Sequence, residues 1–124
     1  MYASLNVLGT PLKSCSNAPK TGWYRDGCCN TNEDDHGSHT VCAELTTEFL
    51  EYLQERGNDL VTPAPRFGFP GLVEGNQWCV CAGSWYDAFL NGKACKVQLE
   101  STHAKALSIV PLEALMAHAA GDEA

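Results

Sequence analysis

The stretch that decides the fold is HTVCAELTTEFLEYLQERGN, residues 39–58, because its hydrophobic periodicity changes halfway along. In HTVCAEL the apolar residues Val41, Ala43 and Leu45 occupy every second position. Such alternation predicts a half-buried β-strand, since successive side chains of a strand point to opposite faces. Cys42 is therefore expected on the face away from the apolar residues.

The second half of the stretch, TTEFLEYLQERGN, predicts an amphipathic helix. Phe49, Leu50 and Leu53 recur at helical spacing and form one apolar stripe. Thr46 is a favoured N-cap residue, and Gly57 is typical of the position just past a helix C-terminus. We expect the apolar stripe to lie in the core.

Two more strands and two more helices follow further along the chain. WCVCA predicts a strand with Trp78 and Val80 on one face and Cys79 and Cys81 on the other. SWYDAFLNG predicts a short helix capped by Ser84. CKVQLEST predicts a third strand, and PLEALMAHA predicts a C-terminal helix that has its proline at the first position.

These elements predict an α+β fold with a small, mainly antiparallel sheet, two to three short helices and long ordered loops. Residues 1–124 are expected to form a single domain. One loop, from Pro63 to Leu72, is rich in proline and glycine, and Phe67, Phe69 and Leu72 are expected to hold it against the body. The predicted core residues are Phe49, Leu50, Leu53, Trp78, Val80, Leu99, Leu112, Leu115 and Met116.

Composition and charge exclude two classes of partner. Fifteen acidic and eight basic residues give a formal net charge of −7. An acidic surface repels phosphate backbones, so nucleic acid is not expected as a partner. No basic cluster and no long apolar run is present, so no membrane partner is expected either.

The seven cysteines are expected to be reduced. The N-terminal sequence lacks the features of a signal peptide, which favours the cytoplasm, where stable disulfides are rare. The odd number of cysteines agrees with this. A disulfide between the adjacent Cys28 and Cys29, or between Cys79 and Cys81 on one strand, is disfavoured by geometry.

A cysteine nucleophile needs a thiolate, which a helix N-terminus or a nearby histidine stabilises. Cys81 and Cys42 each lie shortly before a predicted helix, and His103 follows the third predicted strand. Cys81, Cys42 and His103 are therefore the candidate catalytic residues of a thiol enzyme or redox protein. The structural alternative is that these cysteines only fill space on buried strands.

The same residue types allow a divalent metal site, although no standard zinc spacing is present. The candidate ligands are His39, Cys42, Cys79 and Cys81, which would have to converge in the folded chain. Cys79 and Cys81 share one strand face, and the loop before Cys42 can pass beside them. Core packing of the cysteines, with histidines bonded to loop carbonyls, is the simpler interpretation.

The loop RDGCCNTNEDDHGS, residues 25–38, is expected to be ordered and non-repetitive because of its glycines and turn-forming residues. From Asn30 onwards the sequence is similar to the start of an EF-hand loop. However, Asp35 stands where an EF-hand loop needs glycine, and Val41 stands where it needs a bidentate acid. An EF-hand is therefore excluded. A looser oxygen-ligand site on Asp26, Asp34 and Asp35 stays an alternative to their use as turn caps.

Six blocks of the sequence are, in order, NVLGTPLKSC, TGWYRDGCCNT, DHGSHTVCA, FLEYLQERGNDLVTP, FPGLVEGNQWCVCAGSW and LESTH. Together they resemble one family of small bacterial proteins, domain of unknown function twenty-two thirty-seven. The resemblance implies a single soluble bacterial domain and carries no activity, cofactor or substrate. Among the positions that look like the family's pattern, Arg25, Asp26, Asn58, Asp59 and Trp78 are the ones we assign to ligand binding.

The leading hypothesis is a polar cleft lined by cysteine, histidine and aspartate that binds a small ligand or a metal ion. It would be built from the loop that ends at Cys42, the strand of Cys79 and Cys81, and His103. The rival hypothesis is the thiol enzyme or redox protein. A third is a protein-interaction module that uses the loop from Pro63 to Leu72. Nothing in the sequence predicts the oligomeric state.

Overall fold

The computed structural model describes residues 4–16, 21, 27–32, 35, 37–67 and 71–120, with the side chain of Phe67 left out. The described part contains three strands and three α-helices, which confirms the predicted α+β fold. In chain order these elements are β1 (His39–Glu44), α1 (Thr47–Glu55), β2 (Gln77–Cys81), α2 (Ala82–Leu90), β3 (Lys96–Val97) and α3 (Leu112–Ala117). Short 3-10 helices cover Pro65–Phe67, Leu99–Ser101 and Ala104–Ser108.

The sheet has the order β2-β1-β3, and β1 is antiparallel to both neighbours. The strands β2 and β3 therefore run in the same direction on either side of β1, and α2 lies between them in the sequence. The predicted third strand is shorter than expected, because the chain turns into a 3-10 helix at Leu99. The central strand β1 is the predicted HTVCAE strand, so this prediction is confirmed.

The main core lies on one face of the sheet. Val41 and Ala43 of β1 and Trp78 and Val80 of β2 belong to it, together with the apolar stripe of α1. Thr46 caps α1 as predicted, since its hydroxyl accepts a hydrogen bond from the Phe49 amide at 3.2 Å. Alternate residues of a strand face opposite ways, so Cys42 and Cys79 are left on the other face.

Most of the predicted core is confirmed, with one clear exception. Leu53 and Leu115 are buried, with 2% and 0% of their surface exposed. Met116 is 54% exposed, so its assignment to the core is wrong: the six-residue helix α3 presents the preceding residue, Leu115, to the core. Leu99 and Leu112 are partly buried against the core. Leu72 is buried as predicted, whereas Phe69 and the side chain of Phe67 lie outside the described part.

Among the described residues, a second, smaller core on the opposite face consists of four cysteines. Cys15, Cys29, Cys42 and Cys79 are all buried there, and they form the disulfides Cys15–Cys42 and Cys29–Cys79. The prediction that all cysteines are reduced is therefore wrong for these four. The partners are 27 and 50 residues apart in the sequence, so only the tertiary structure brings them together.

These disulfides fix segments that have little regular structure of their own. Cys15 and Cys29 lie on loops, whereas Cys42 and Cys79 are directly paired residues of β1 and β2. The loops are also hydrogen-bonded to the sheet and to each other, for example from the Cys79 amide to the Thr21 hydroxyl at 2.8 Å. In the described part of the loop before β1, no regular secondary structure occurs, in agreement with the prediction. None of the helices described has the length and hydropathy needed to cross a bilayer.

Candidate thiol site

The candidate site is a hydrogen-bonded chain of three side chains at one end of β1 and β2. The Sγ atom of Cys81 lies 3.4 Å from Nε2 of His39. The other ring nitrogen of His39, Nδ1, lies 2.6 Å from Oδ1 of Asp35. A thiol, an imidazole and a carboxylate therefore stand in the order of a nucleophile, a base and the group that orients the base.

The strand register produces the first of these contacts. His39 of β1 pairs with Cys81 of β2, although Val41 pairs with Val80, so the register shifts between His39 and Val41. Such a bulge re-aims the side chain next to it. Here the bulge lies next to His39, whose ring is directed at Cys81.

A tight loop supplies the second contact. Asp35 accepts hydrogen bonds at Oδ2 from the His39 amide, at 2.8 Å, and from the Thr31 hydroxyl, at 3.0 Å. Ser38 has a φ of 53°, a left-handed conformation that is uncommon outside glycine and frequent at functional sites. This turn folds the chain back so that the Asp35 carboxylate faces the backbone and the ring of His39.

Cys81 stands at the junction of β2 and α2, where it is the N-cap residue of the helix. The predicted N-cap, Ser84, is wrong, because the helix begins at Ala82. The Ala82 amide donates to the Ser38 carbonyl at 3.0 Å, which ties the start of α2 to the loop of Asp35 and His39. The Cys81 side chain makes no capping bond and faces His39 instead. The thiol thus lies at the partially positive end of a nine-residue helix.

The electrostatics of the site favour a charged histidine. The hydrogen bond with Cys81 raises the pKa of His39, burial opposes this rise, and the bond with Asp35 adds to it, so that the pKa reaches about 9. Burial by itself would raise the pKa of Asp35, but hydrogen bonds from the His39 ring, the His39 amide and Thr31 lower it below its ordinary value. At neutral pH the site therefore holds an imidazolium beside a carboxylate.

Gly37 is packed directly against the thiol. A Cβ atom added to Gly37 would lie 2.8 Å from Sγ of Cys81 and 3.5 Å from Cε1 of His39. Real Cβ atoms essentially never approach a heavy atom to under 3.0 Å, so a larger residue here would displace the Cys81 side chain. The need for glycine at position 37 is thus part of the geometry of the site.

A small cavity of about 40 Å³ opens beside the thiol and imidazole. Its lining includes His39, Cys81, Asn58, Leu60 and Trp78. A cavity of this size holds about one water molecule. It therefore suits the reacting group of a larger molecule that reaches the site from outside.

The structure places the predicted site residues in different surroundings. His39, Cys81, Asn58 and Trp78 meet at the cavity. Asp59 is exposed and uses its carboxylate to accept hydrogen bonds from the amides of Val61 and Thr62, which lower its pKa. Asp59 thus stabilises its own turn. The predicted ligand-binding residues Arg25 and Asp26, and also Asp34 of the alternative oxygen site, lie outside the described residues.

His103 serves a local structural role. Its amide donates to the Thr40 carbonyl at 2.9 Å, which holds it beside β1. Its Nδ1 atom accepts a hydrogen bond from the Lys105 amide and caps the 3-10 helix Ala104–Ser108. Burial, and the nearby charge of Lys105, lower the pKa of His103. Within the described residues, the histidine that contacts Cys81 is His39.

The remaining cysteines differ sharply in character. Cys42 and Cys79, predicted as a nucleophile and as metal ligands, are each held in a disulfide and have no thiol in this state. Cys95 is buried, and burial raises the pKa of its thiol to about 12, so it is unreactive. Cys28 and Cys81 are partly exposed and lie outside the two disulfides.

The predicted metal ligands are divided between two places. Within the described residues, the metal-binding side chains that come close together in a group are Cys15, Cys29 and Cys79, whose Sγ atoms lie within 4.8 Å of one another. His39 and Cys81 belong instead to the thiol site. In the sequence analysis, Cys15 has no assigned role, and Asp35 is considered as an oxygen ligand or a turn cap. In the sequence, Asp35 and His39 are four residues apart, with Gly37 between them. This spacing is the feature that could have indicated their contact.

The fold and the site define a small α+β domain with a cysteine–histidine–aspartate chain at a strand-to-helix junction. Residues 5–119 match the family DUF2237, which is described as an uncharacterized protein conserved in bacteria. The match covers nearly the whole chain, so the protein belongs to this family, and the resemblance of the sequence blocks is confirmed. Among curated proteins, no match to the chain is found.

Proposed function

We propose that the protein is a cysteine-dependent enzyme of the acyl-transfer class, with Cys81 as its nucleophile. The observation that carries this proposal is the hydrogen-bonded chain from Cys81 through His39 to Asp35, with distances of 3.4 Å and 2.6 Å. A nucleophile, a histidine and an orienting carboxylate in this order recur on unrelated folds that transfer acyl groups. In this proposal the polar cleft is the active site of the thiol enzyme, so the two hypotheses describe the same place.

Each side chain has a defined task in the proposed reaction. The Cys81 thiolate attacks a carbonyl carbon and forms a carbon–sulfur bond, while the carbonyl electron pair moves to oxygen. When this electron pair returns, the bond to the leaving amine, alcohol or thiol breaks, and the leaving group takes the Nε2 proton of His39. Water then attacks the thioester and gives a proton back to His39, which releases a carboxylic acid and restores the thiolate. Asp35 keeps the His39 ring oriented and stabilises its charged form.

The helix α2 supplies the groups that would stabilise the oxyanion. Gly83 and Ser84 belong to the first turn, where backbone N–H groups have no acceptor within the helix. Such amides next to a nucleophile stabilise negative charge that develops on a carbonyl oxygen. Because the cavity is small, only the reacting carbonyl would enter it, and Asn58 and Trp78 would contact the group beside that carbonyl.

The cytoplasm is the compartment that we propose for this activity. A nucleophilic thiol must remain reduced, and reducing compartments maintain thiols, so in the cytoplasm the two buried disulfides would also be open to reduction. Arg25 and Asp26 stay in the proposal as residues that would contact the substrate, on the strength of the sequence pattern alone. The interaction-module hypothesis for the loop from Pro63 to Leu72 stays a prediction.

Covalent labelling tests the proposed nucleophile. An activated thioester or aryl ester should add one acyl group to the protein, and peptide mass spectrometry should locate this group on Cys81. His39→Gln should slow acylation about a hundredfold or more, because it removes the proton-transfer group. Asp35→Asn should slow it about tenfold or more, because it leaves the ring without its charged partner.

His103→Gln is the matched control, since it changes a partly buried histidine that lies beside the same strand but does not contact Cys81. It should leave acylation within about twofold of the wild type. Acylation of Cys28 in preference to Cys81, or equal rates in wild type and His39→Gln, would contradict the proposal. A steady-state turnover that persists in Cys81→Ser would contradict it as well.

A further inference from the structure

The four-cysteine core is separate from the thiol site and contains two disulfides. Cys15, Cys29, Cys42 and Cys79 are between 0% and 7% exposed and together form a separate buried cluster. The Sγ atoms of Cys15, Cys29 and Cys79 all lie within 4.8 Å of one another, although Cys15 is bonded to Cys42 and Cys29 to Cys79. The Cys15 sulfur therefore lies beside the Cys29–Cys79 disulfide, and the Cys42 sulfur is held next to Cys15 by their bond.

This arrangement brings three of the four thiolate ligands of a zinc site close together. Tetrahedral zinc binds each sulfur at about 2.3 Å, which places neighbouring sulfurs about 3.8 Å apart. Both sulfur–sulfur bonds would have to open, and the Cys15 sulfur would have to approach those of Cys29 and Cys79 by about 1 Å or less to reach that spacing. The Cys42 side chain, released from Cys15, would have to turn toward the same three sulfurs. Such shifts need side-chain rotation and no refolding of β1 or β2. We propose that reduction of these two disulfides creates a tetrathiolate site for a divalent cation of the zinc type.

The conversion balances in electrons, atoms and charge. Two equivalents of a dithiol reductant transfer four electrons and four protons, so that both sulfur–sulfur bonds break and four thiols form. The reductant is oxidised to two cyclic disulfides. One Zn²⁺ ion then replaces the four protons, which leave to solvent, and the product is a zinc tetrathiolate that carries a net charge of −2.

The four ligands would come from four separate parts of the chain. Cys42 and Cys79 are paired across β1 and β2, whereas Cys15 and Cys29 lie on the two loops that cover this face. A metal ion would therefore hold the same loops on the same strands as the disulfides do. The side-chain amide of Gln77 lies 3.7 Å from Sγ of Cys42. Its oxygen and nitrogen can exchange places by a flip, so it can donate a hydrogen bond to a thiolate there.

Metal binding to the purified full chain tests this inference. The protein is prepared oxidised and reduced, the dithiol is removed under nitrogen, and Zn²⁺ or Co²⁺ is added. The reduced form should bind about one zinc ion per chain, and its cobalt form should show the intense visible bands of a tetrahedral thiolate site. The oxidised form should bind none at this cluster. A reduced, folded protein that binds no metal, or a cobalt spectrum of an octahedral site, would overturn the proposal.

Thiol protection identifies the ligands without a substitution. Zinc should slow alkylation of the four cluster cysteines about tenfold or more, because metal-bound thiolates are less available to electrophiles, and Cys28 and Cys81 should still react. Equal labelling of the four cysteines with and without zinc would refute the site. Among variants, Cys15→Ser should lose the tetrathiolate spectrum, whereas Cys28→Ser and Cys81→Ser should keep it. Loss of zinc in Cys81→Ser would place the metal at His39 and Cys81 instead and would overturn the inference. This result is independent of whether Cys81 transfers acyl groups.

Discussion

Cys81 and His39 are partners across the antiparallel ladder of β1 and β2, and Sγ of Cys81 lies 3.4 Å from Nε2 of His39. The distance depends on the register, because a slip by one residue would turn one of the two side chains to the opposite face of the sheet. The apolar pattern of Val41, Ala43, Trp78 and Val80, whose side chains must reach the core, fixes the register on the other side of the bulge. Core packing therefore holds the two strands together, and the register shift between His39 and Val41 brings the histidine opposite Cys81.

Replacement of Gly37 tests how tightly the thiol is held. In Gly37→Ala the new Cβ would lie 2.8 Å from Sγ of Cys81, so the thiol must move away from its position beside His39. We expect alkylation of Cys81 to slow about tenfold, because the displaced Sγ atom loses its contact with Nε2 of His39. The rate of iodoacetamide labelling, followed peptide by peptide, measures this effect.

Cys28 in the same Gly37→Ala protein is the internal control, because it is partly exposed and lies outside both disulfides. Its alkylation rate should stay within about twofold of the rate in the wild type. If Gly37→Ala labels at the wild-type rate while its fold is retained, the contact between Gly37 and Cys81 does not restrict the thiol.

The raised pKa of His39 predicts that stability depends on pH. Its folded-state pKa of about 9 lies above the ordinary value of 6.5, so protonation stabilises the folded state. This stabilisation is fully present below pH 6.5 and is lost as the pH rises through about 9. A third of the His39 side chain is exposed, so we expect a loss of about 1–2 kcal/mol after allowance for screening by water.

Urea unfolding at a series of pH values from about 6 to about 9.5 measures this loss. In His39→Gln the corresponding part of the pH dependence should be absent, while other titrating groups contribute equally to both proteins. If the plots of unfolding free energy against pH are parallel for wild type and His39→Gln, folding does not raise the pKa of His39.

Removal of either disulfide should destabilise the oxidised protein. The disulfides close loops of 27 and 50 residues, and loop-closure entropy predicts a contribution of about 3–4 kcal/mol for each. The double variants Cys15→Ala with Cys42→Ala, and Cys29→Ala with Cys79→Ala, should each lower the free energy of unfolding by an amount in this range. Cys28→Ala serves as the control, since Cys28 lies outside both disulfides. A midpoint of urea unfolding that stays unchanged in both double variants would argue against the cross-links.

The faces of two helices can be tested by a pair of truncations. Leu53 of α1 is 2% exposed, so Leu53→Ala should lower the free energy of unfolding by about 2–5 kcal/mol. Met116 of α3 is 54% exposed, so Met116→Ala should change it by less than about 0.5 kcal/mol. Chemical denaturation gives both values. Similar losses for the two variants would mean that Met116 is buried in solution, for example against a second molecule.

Local patterns in the sequence predicted the elements that carry the site. The alternation around Cys42 and around Cys79 specified β1, β2 and the face on which these cysteines lie, because a strand has a period of two residues. The pattern places the start of α2 three residues too late, since Ser84 is a good capping residue and Cys81 is not. As a result, the position of Cys81 at the helix N-terminus itself appeared only in the structure.

The sequence alone determined the α+β elements, the apolar faces of β1, β2 and α1, and the membership in a bacterial family. Tertiary structure decided which cysteines meet: Cys15 joins Cys42 and Cys29 joins Cys79, while Cys81 is left as a thiol beside His39. The physical reason is distance along the chain. Periodicity records which way a side chain points within its own element, whereas pairings across 27, 50 and 42 residues depend on how loops cross the sheet. Asp35 belongs to the site because one left-handed residue, Ser38, turns the chain back toward His39.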